Sequence, residues 1–188
     1  MSFLNWPVEQ IHLSERVQQR RKSITLGLLD QFGKAFPDIT YELLWESGTI
    51  NSQAWRLGLA RNVRVYGGLA RHPGITRAGL ALMLAHETGH HLGGAPCDPD
   101  MPWISWQGQA DYWAANVGMK KVFGLQARNM TLRGALQIRR LHQDFAGRSE
   151  EDEPDLSSEC RYAIFLAGIT GDVMPNCAQQ AFAQLCSA

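Results

Sequence analysis

The stretch Ala78-Gly79-Leu80-Ala81-Leu82-Met83-Leu84-Ala85-His86-Glu87-Thr88-Gly89-His90 constrains this chain more than any other. An apolar run leads straight into two histidines four positions apart, with a glutamate beside the first. On an α-helix, positions i and i+4 share a face, one turn apart. A helix that is apolar on most sides belongs in a core, so the histidines are expected on a buried helix ended by Gly93-Gly94. Two imidazoles so placed can grip one Zn²⁺ ion, and the glutamate can reach a water at the ion and take its proton. One zinc per chain is therefore expected on His86 and His90, with Glu87 as general base. If the three residues were instead ordinary interior polar groups, Glu87 would be a buried carboxylate without a partner, which is costly.

The rest of the chain is compatible with that helix lying inside one domain. Its 188 residues suffice for a single domain with a proper core. Lys+Arg and Asp+Glu are both 18, so no general electrostatic pull toward nucleic acid or acidic membranes is expected. The one basic cluster, Arg16 to Lys22, reads as a solvated helix face, and Glu150 to Asp155 as an exposed acidic loop. No apolar stretch reaches the roughly 18 residues of a membrane span. Met1 to Pro7 lacks the basic and apolar regions of a signal peptide. The expected compartment is the cytoplasm, or the periplasm or exterior if a leader has been removed. Of the four cysteines, three lie from Cys160 onward (Cys160, Cys177, Cys186), which suggests a disulfide there; four cysteines with Cys97 allow three full pairings, and buried thiols are equally consistent.

Helical spacing of Leu13, Val17, Ile24, Leu28 and Phe32 predicts a helix over 8–35, ended near Pro37. Short strands are expected at 40–45, 54–59 and 63–66, with Gly48, Asn51 and Arg61-Asn62 as turns. Thr76 is the expected N-cap of the motif helix. After a proline-containing loop, Ser105 is expected to cap a helix over about 105–123, followed by helices near 129–146, 156–168 and 176–187. The expected class is α+β: a mostly helical domain with a small sheet before the active-site helix, its core at about 38–147 and a cysteine-containing helical extension over 148–188.

Two histidines alone hold zinc poorly, and a peptidase site needs three protein ligands plus an open position. The next helix offers Gln107-Gly108-Gln109-Ala110-Asp111. H-E-x-x-H followed by E-x-x-A-D on the next helix is the layout of the gluzincin branch of zincin metallopeptidases, which this chain resembles over about residues 55–125. The layout is shared by thermolysin-like enzymes, the minigluzincins and the membrane CAAX-processing peptidases. In that branch the glutamate is the third ligand and the aspartate supports a zinc histidine from behind. This chain departs from the pattern at Gln107, a neutral residue where the ligand carboxylate belongs. Three arrangements follow. Asp111, one turn on and charged, ligates the ion; Gln107 ligates through its carbonyl oxygen; or zinc binding is impaired. Asp111 is the expected ligand.

The resemblance implies a zincin-like metallopeptidase that hydrolyses a protein or peptide substrate. An edge strand at Val63–Gly67 is expected to pair with the substrate backbone. A second oxyanion donor is sought among Tyr112, His142, Arg161 and Tyr162, with His91 discounted because it points to another helix face. Trp103, Trp106 and Trp113 are expected to pack as aromatic core. The rival expectation is a zincin-fold pseudoenzyme that binds or regulates, with Gln107 marking lost catalysis. A further rival within the hydrolases is a cytoplasmic peptidase that cleaves a regulator. Oligomeric state is not set by the sequence.

Overall fold

The computed structural model describes residues 13–145 and 156–186. The acidic loop expected at 150–155 lies outside them. The chain runs α1 (Glu15–Ala35), β1 (Ile39–Leu44), β2 (Ser52–Leu57), β3 (Ala60–Tyr66), α2 (Gly67–Arg71) and α3 (Arg77–Leu92). After a loop come α4 (Gln107–Trp113), one wide π turn at Ala114–Gly118, α5 (Met119–Phe123), α6 (Ala127–Phe145), α7 (Ser158–Thr170) and α8 (Asn176–Leu185). The class is α+β, mostly helical with one small mixed sheet. Among the described residues, no helix is long and apolar enough to cross a membrane.

The motif helix α3 is the axis of the domain. All fourteen residues from Ala78 to His91 are buried, because α1, α4, α6 and the sheet all pack on it. Thr76 caps it as expected, its hydroxyl accepting from the Ala78 N–H. Gly89 sets how near α4 can come: a Cβ there would lie 2.7 Å from the Ala110 carbonyl oxygen. The glycine inside H-E-T-G-H thus lets the helix carrying Gln107 and Asp111 pack directly against the histidines.

The sheet order is β1-β3-β2, with β1 parallel and β2 antiparallel to β3. This overturns the expected edge strand. Val63 to Tyr66 lies in the central strand, with both backbone edges paired, and its alternating Val63 and Val65 are buried against the core. Edge position is a property of strand order, which alternation along one strand does not encode. Among the described residues, the strand bordering α3 with an unpaired edge is β2. The turn also shifts: Gly58, at φ 58°, makes the β2–β3 connection, and Arg61-Asn62 lies inside β3. Only glycine takes that backbone conformation without strain.

Two further expectations change as well. The helix expected from Ser105 begins at Gln107, with no side-chain cap; the Ser105 carbonyl is engaged elsewhere, as described below. Arg21, in the expected solvated basic face, reaches back to the carbonyl oxygens of Ala70, His72 and Ile75 and ties α1 to the turn before α3. Arg16 and Arg20 are exposed. A second, smaller apolar cluster joins Trp106 to Leu156, Cys160, Ile164 and Ala178, which docks the C-terminal helices beside α4. Cys160 and Cys177 form a disulfide, and Cys97 and Cys186 are free.

Candidate metal centre

His86, Glu87 and His90 project from the last turns of α3, and their ligand atoms lie within 4.8 Å of one another. The imidazole centroids are 4.5 Å apart, edge to face. All three side chains are essentially without solvent contact.

Each imidazole is held by its Nδ1. That of His90 donates to the Ser105 carbonyl oxygen at 2.7 Å. That of His86 lies 2.7 Å from Asp111 Oδ1. Arg161 Nη2 also approaches the same nitrogen, at 3.5 Å, but a guanidinium only donates; the short carboxylate contact therefore fixes Nδ1 of His86 as the donor. Both rings are left as the tautomer with a bare lone pair on Nε2, and neither Nε2 has a hydrogen-bond partner among the described residues. That is how ligand histidines are oriented by the groups behind them. Burial, together with the neighbouring His86, pushes His90 well below the ordinary histidine range, so it stays neutral.

Asp111, the expected ligand, lies behind the His86 ring. Its Oδ1 contacts His86 Nδ1 and Arg161 Nη2, and its Oδ2 accepts from Arg161 Nε at 2.6 Å. Both oxygens are taken, on the side of the His86 ring away from Nε2. The expectation that Asp111 contacts an ion thus meets a carboxylate already committed to a histidine and an arginine. Burial by itself would raise its carboxyl, but the Arg161 guanidinium and His86 outweigh this and hold it down at about 2.

Gln107 lines a cleft of about 200 Å³ together with Glu87, His90, Asn51 and Ser105. Its Oε1 is buried and has no hydrogen-bond partner among the described residues, and the same holds for Glu87 Oε2. Native proteins leave few buried polar atoms unpaired; of the nine among the described residues, five belong to this site: the Nε2 atoms of His86 and His90, Glu87 Oε2, Gln107 Oε1 and the amide nitrogen of Asn51, of which the first four can donate a lone pair. The donor set fits a divalent ion that takes nitrogen and oxygen ligands. The His86–Glu87–His90 cluster can hold a metal ion.

No protein-family model, curated protein or solved structure matches this chain.

None of the expected oxyanion donors lines the cleft. Tyr112 donates its hydroxyl to the Asp172 carbonyl, and His91 Nε2 contacts the Asn62 carbonyl oxygen. Arg161 and His142 lie behind His86, 3.1 Å from each other. Tyr162 packs under the Arg139 guanidinium. Of the three tryptophans, Trp106 is core, Trp113 packs on Phe36, and Trp103 stacks on His91 beneath Arg56. Two residues outside the expected set belong to the site: Ser52, whose hydroxyl donates to Glu87 Oε1 at 2.8 Å, and Asn51, expected only as a turn and found as a buried cleft residue.

Proposed function

We propose that the chain is a zinc-dependent metallopeptidase, one ion per chain, with His86 and His90 as ligands through Nε2 and Gln107 as the third through Oε1. The observation that carries this reading is the set of four buried, unpartnered polar atoms on two helices packed against each other. When bound, such an ion polarises a peptide carbonyl and makes water acidic enough to attack near neutral pH. Glu87 does the proton work. Its Oε2 accepts a proton from the attacking water and delivers it to the departing amine nitrogen. β2, an outer strand of the sheet, contributes Gln53 and Ala54 to the cleft lining. An extended peptide laid there pairs with the strand by main-chain hydrogen bonds and brings a carbonyl toward Glu87.

A binding module without catalysis is the second reading, and Gln107 favours it, since a neutral amide ligand holds zinc less firmly than a carboxylate. Metal analysis and a peptide-hydrolysis assay separate the two. The peptidase reading expects about one zinc per chain and cleavage that stops on chelation and returns with Zn²⁺. Glu87→Gln is expected to lower turnover at least about a hundredfold while keeping the metal. A polypeptide that takes up no zinc under saturating conditions, or a Glu87→Gln variant that cleaves at the parent rate, defeats it.

A further inference from the structure

We propose that Ser52 is a positioning residue for Glu87, pinning Oε1 so that Oε2 is the oxygen that handles the proton. The inference rests on the peptidase reading above and adds to it a residue from outside the two metal-site helices.

Ser52 is the first residue of β2 and is fully buried. Its backbone is fixed twice: it sits opposite Val65 in the ladder with β3, and its N–H donates to the Asn51 side-chain oxygen at 2.8 Å. A hydroxyl has a single proton to give, and this one goes to Glu87 Oε1 at 2.8 Å. Hydrogen bonds to carboxylates are among the stronger ones in proteins, and both side chains of this one are buried. Glu87 itself has no solvent contact, and its Oε2 has no partner among the described residues. The two oxygens of one carboxylate are thus inequivalent: one is tethered to the sheet and one is bare. Without the tether, the carboxylate is free to turn about its last bond, a broad two-fold torsion, and present either oxygen at any tilt. With it, the plane of the group is set by a strand. Glu87 lines the cleft and Ser52 does not, so Ser52 acts through Glu87 and touches no substrate. The same strand continues into the cleft edge at Gln53 and Ala54, so base and substrate platform are held in one frame.

The test uses the full chain with Ser52→Ala, Ser52→Thr, Glu87→Ala and the Ser52→Ala/Glu87→Ala double variant. Turnover is followed on a quenched fluorescent peptide mixture, and urea unfolding on metal-free protein. Ser52→Ala is expected to lower kcat about tenfold, the lower bound for one hydrogen bond to a charged group, with KM within about twofold and zinc content unchanged. Ser52→Thr, which keeps the hydroxyl, recovers part of the loss. In the metal-free protein, Ser52→Ala shifts the urea midpoint down when Glu87 is present and much less in the Glu87→Ala background. An unchanged kcat in Ser52→Ala, a loss carried by KM alone, or equal midpoint shifts in both backgrounds each overturns the inference while an active parent keeps the peptidase reading. A parent that binds zinc but cleaves nothing removes that reading and the positioning role with it, even where the unfolding cycle still reports the bond.

Discussion

Asp111 Oδ1 lies 2.7 Å from His86 Nδ1, on the opposite side of the ring from the bare Nε2, and the Arg161 guanidinium clasps the same carboxylate. The aspartate thus fixes which nitrogen of His86 is left for a metal, and the arginine makes a buried aspartate tolerable. Asp111→Asn keeps an acceptor for His86 but removes the charge. Metal affinity is expected to fall about 10–100-fold, read by competition with a chromogenic chelator. Arg161 keeps its contact with His142 but loses the opposite charge of Asp111, so a lower stability is expected, read by urea unfolding of the metal-free protein. An Asp111→Asn protein as stable and as metal-avid as the parent contradicts this assignment.

Gln107 is the next point of leverage. Its carbonyl oxygen is buried, unpartnered and beside Glu87 and His90 in the cleft. Gln107→Ala removes a ligand and is expected to weaken zinc retention. Gln107→Glu adds a charge at about the same place, and opposite charges a few ångströms apart attract by about 1–4 kcal/mol in a partly screened site. Zinc is therefore expected to bind about tenfold or more tightly. Isothermal titration of both variants decides the matter. Equal affinities for all three side chains would remove Gln107 from the ligand set.

Periodicity and punctuation made much of this molecule legible in advance. The buried motif helix, its Thr76 cap and the α+β class follow from the apolar run and the short alternating segments. The pairing of α3 with the helix carrying Gln107 and Asp111 follows from the two motifs together. What stayed hidden depends on three-dimensional order. Nothing in Val63–Tyr66 says that β2 lies beyond it, so alternation alone does not reveal that β3 is the central strand. Asp111 looked like the natural ligand because it carries the charge; its commitment to Arg161 requires α7, fifty residues on. Ser105 looked like a cap, while the role it plays is that of its backbone carbonyl, which no side-chain pattern reports. Ser52 carries no local signal at all.

His142 makes the fold acid-sensitive. Burial, and then the Arg161 cation beside it, lower its pKa to about 3. In the unfolded chain it titrates near 6.5. Below that pH the unfolded state takes up a proton that the folded state refuses, so stability rises with pH across this range. The contribution is fully present above about 6.5 and is lost progressively as pH falls toward 3. His91, lowered mainly by burial, adds to the same trend. Unfolding free energy of the metal-free protein is expected to drop steadily between pH 6.5 and 4. His142→Gln, which still offers Arg161 an acceptor but does not titrate, should show a shallower slope. Parallel pH profiles for parent and variant would rule out His142 as a source.

The disulfide bears on the site through Arg161. Cys160 and Cys177 are 17 positions apart, and closing a loop of that length restricts the unfolded chain by about 3 kcal/mol. The bond joins α7, which carries Arg161, to the start of α8, whose Ala178 and Phe182 pack with Trp106 next to α4. Its loss therefore loosens the element that neutralises Asp111. Cys177→Ser is expected to lower the melting temperature of the metal-free protein by about 6–12 °C, given about 2–4 °C per kcal/mol for a chain of this size. Chelator competition should show weaker zinc retention in the same variant, since a less firmly held Arg161 leaves Asp111 and His86 less ordered. Cys186→Ser, which removes an exposed free thiol, should change neither property. If Cys177→Ser melts lower yet holds zinc as tightly as the parent, the C-terminal helices stabilise the domain without ordering its metal centre.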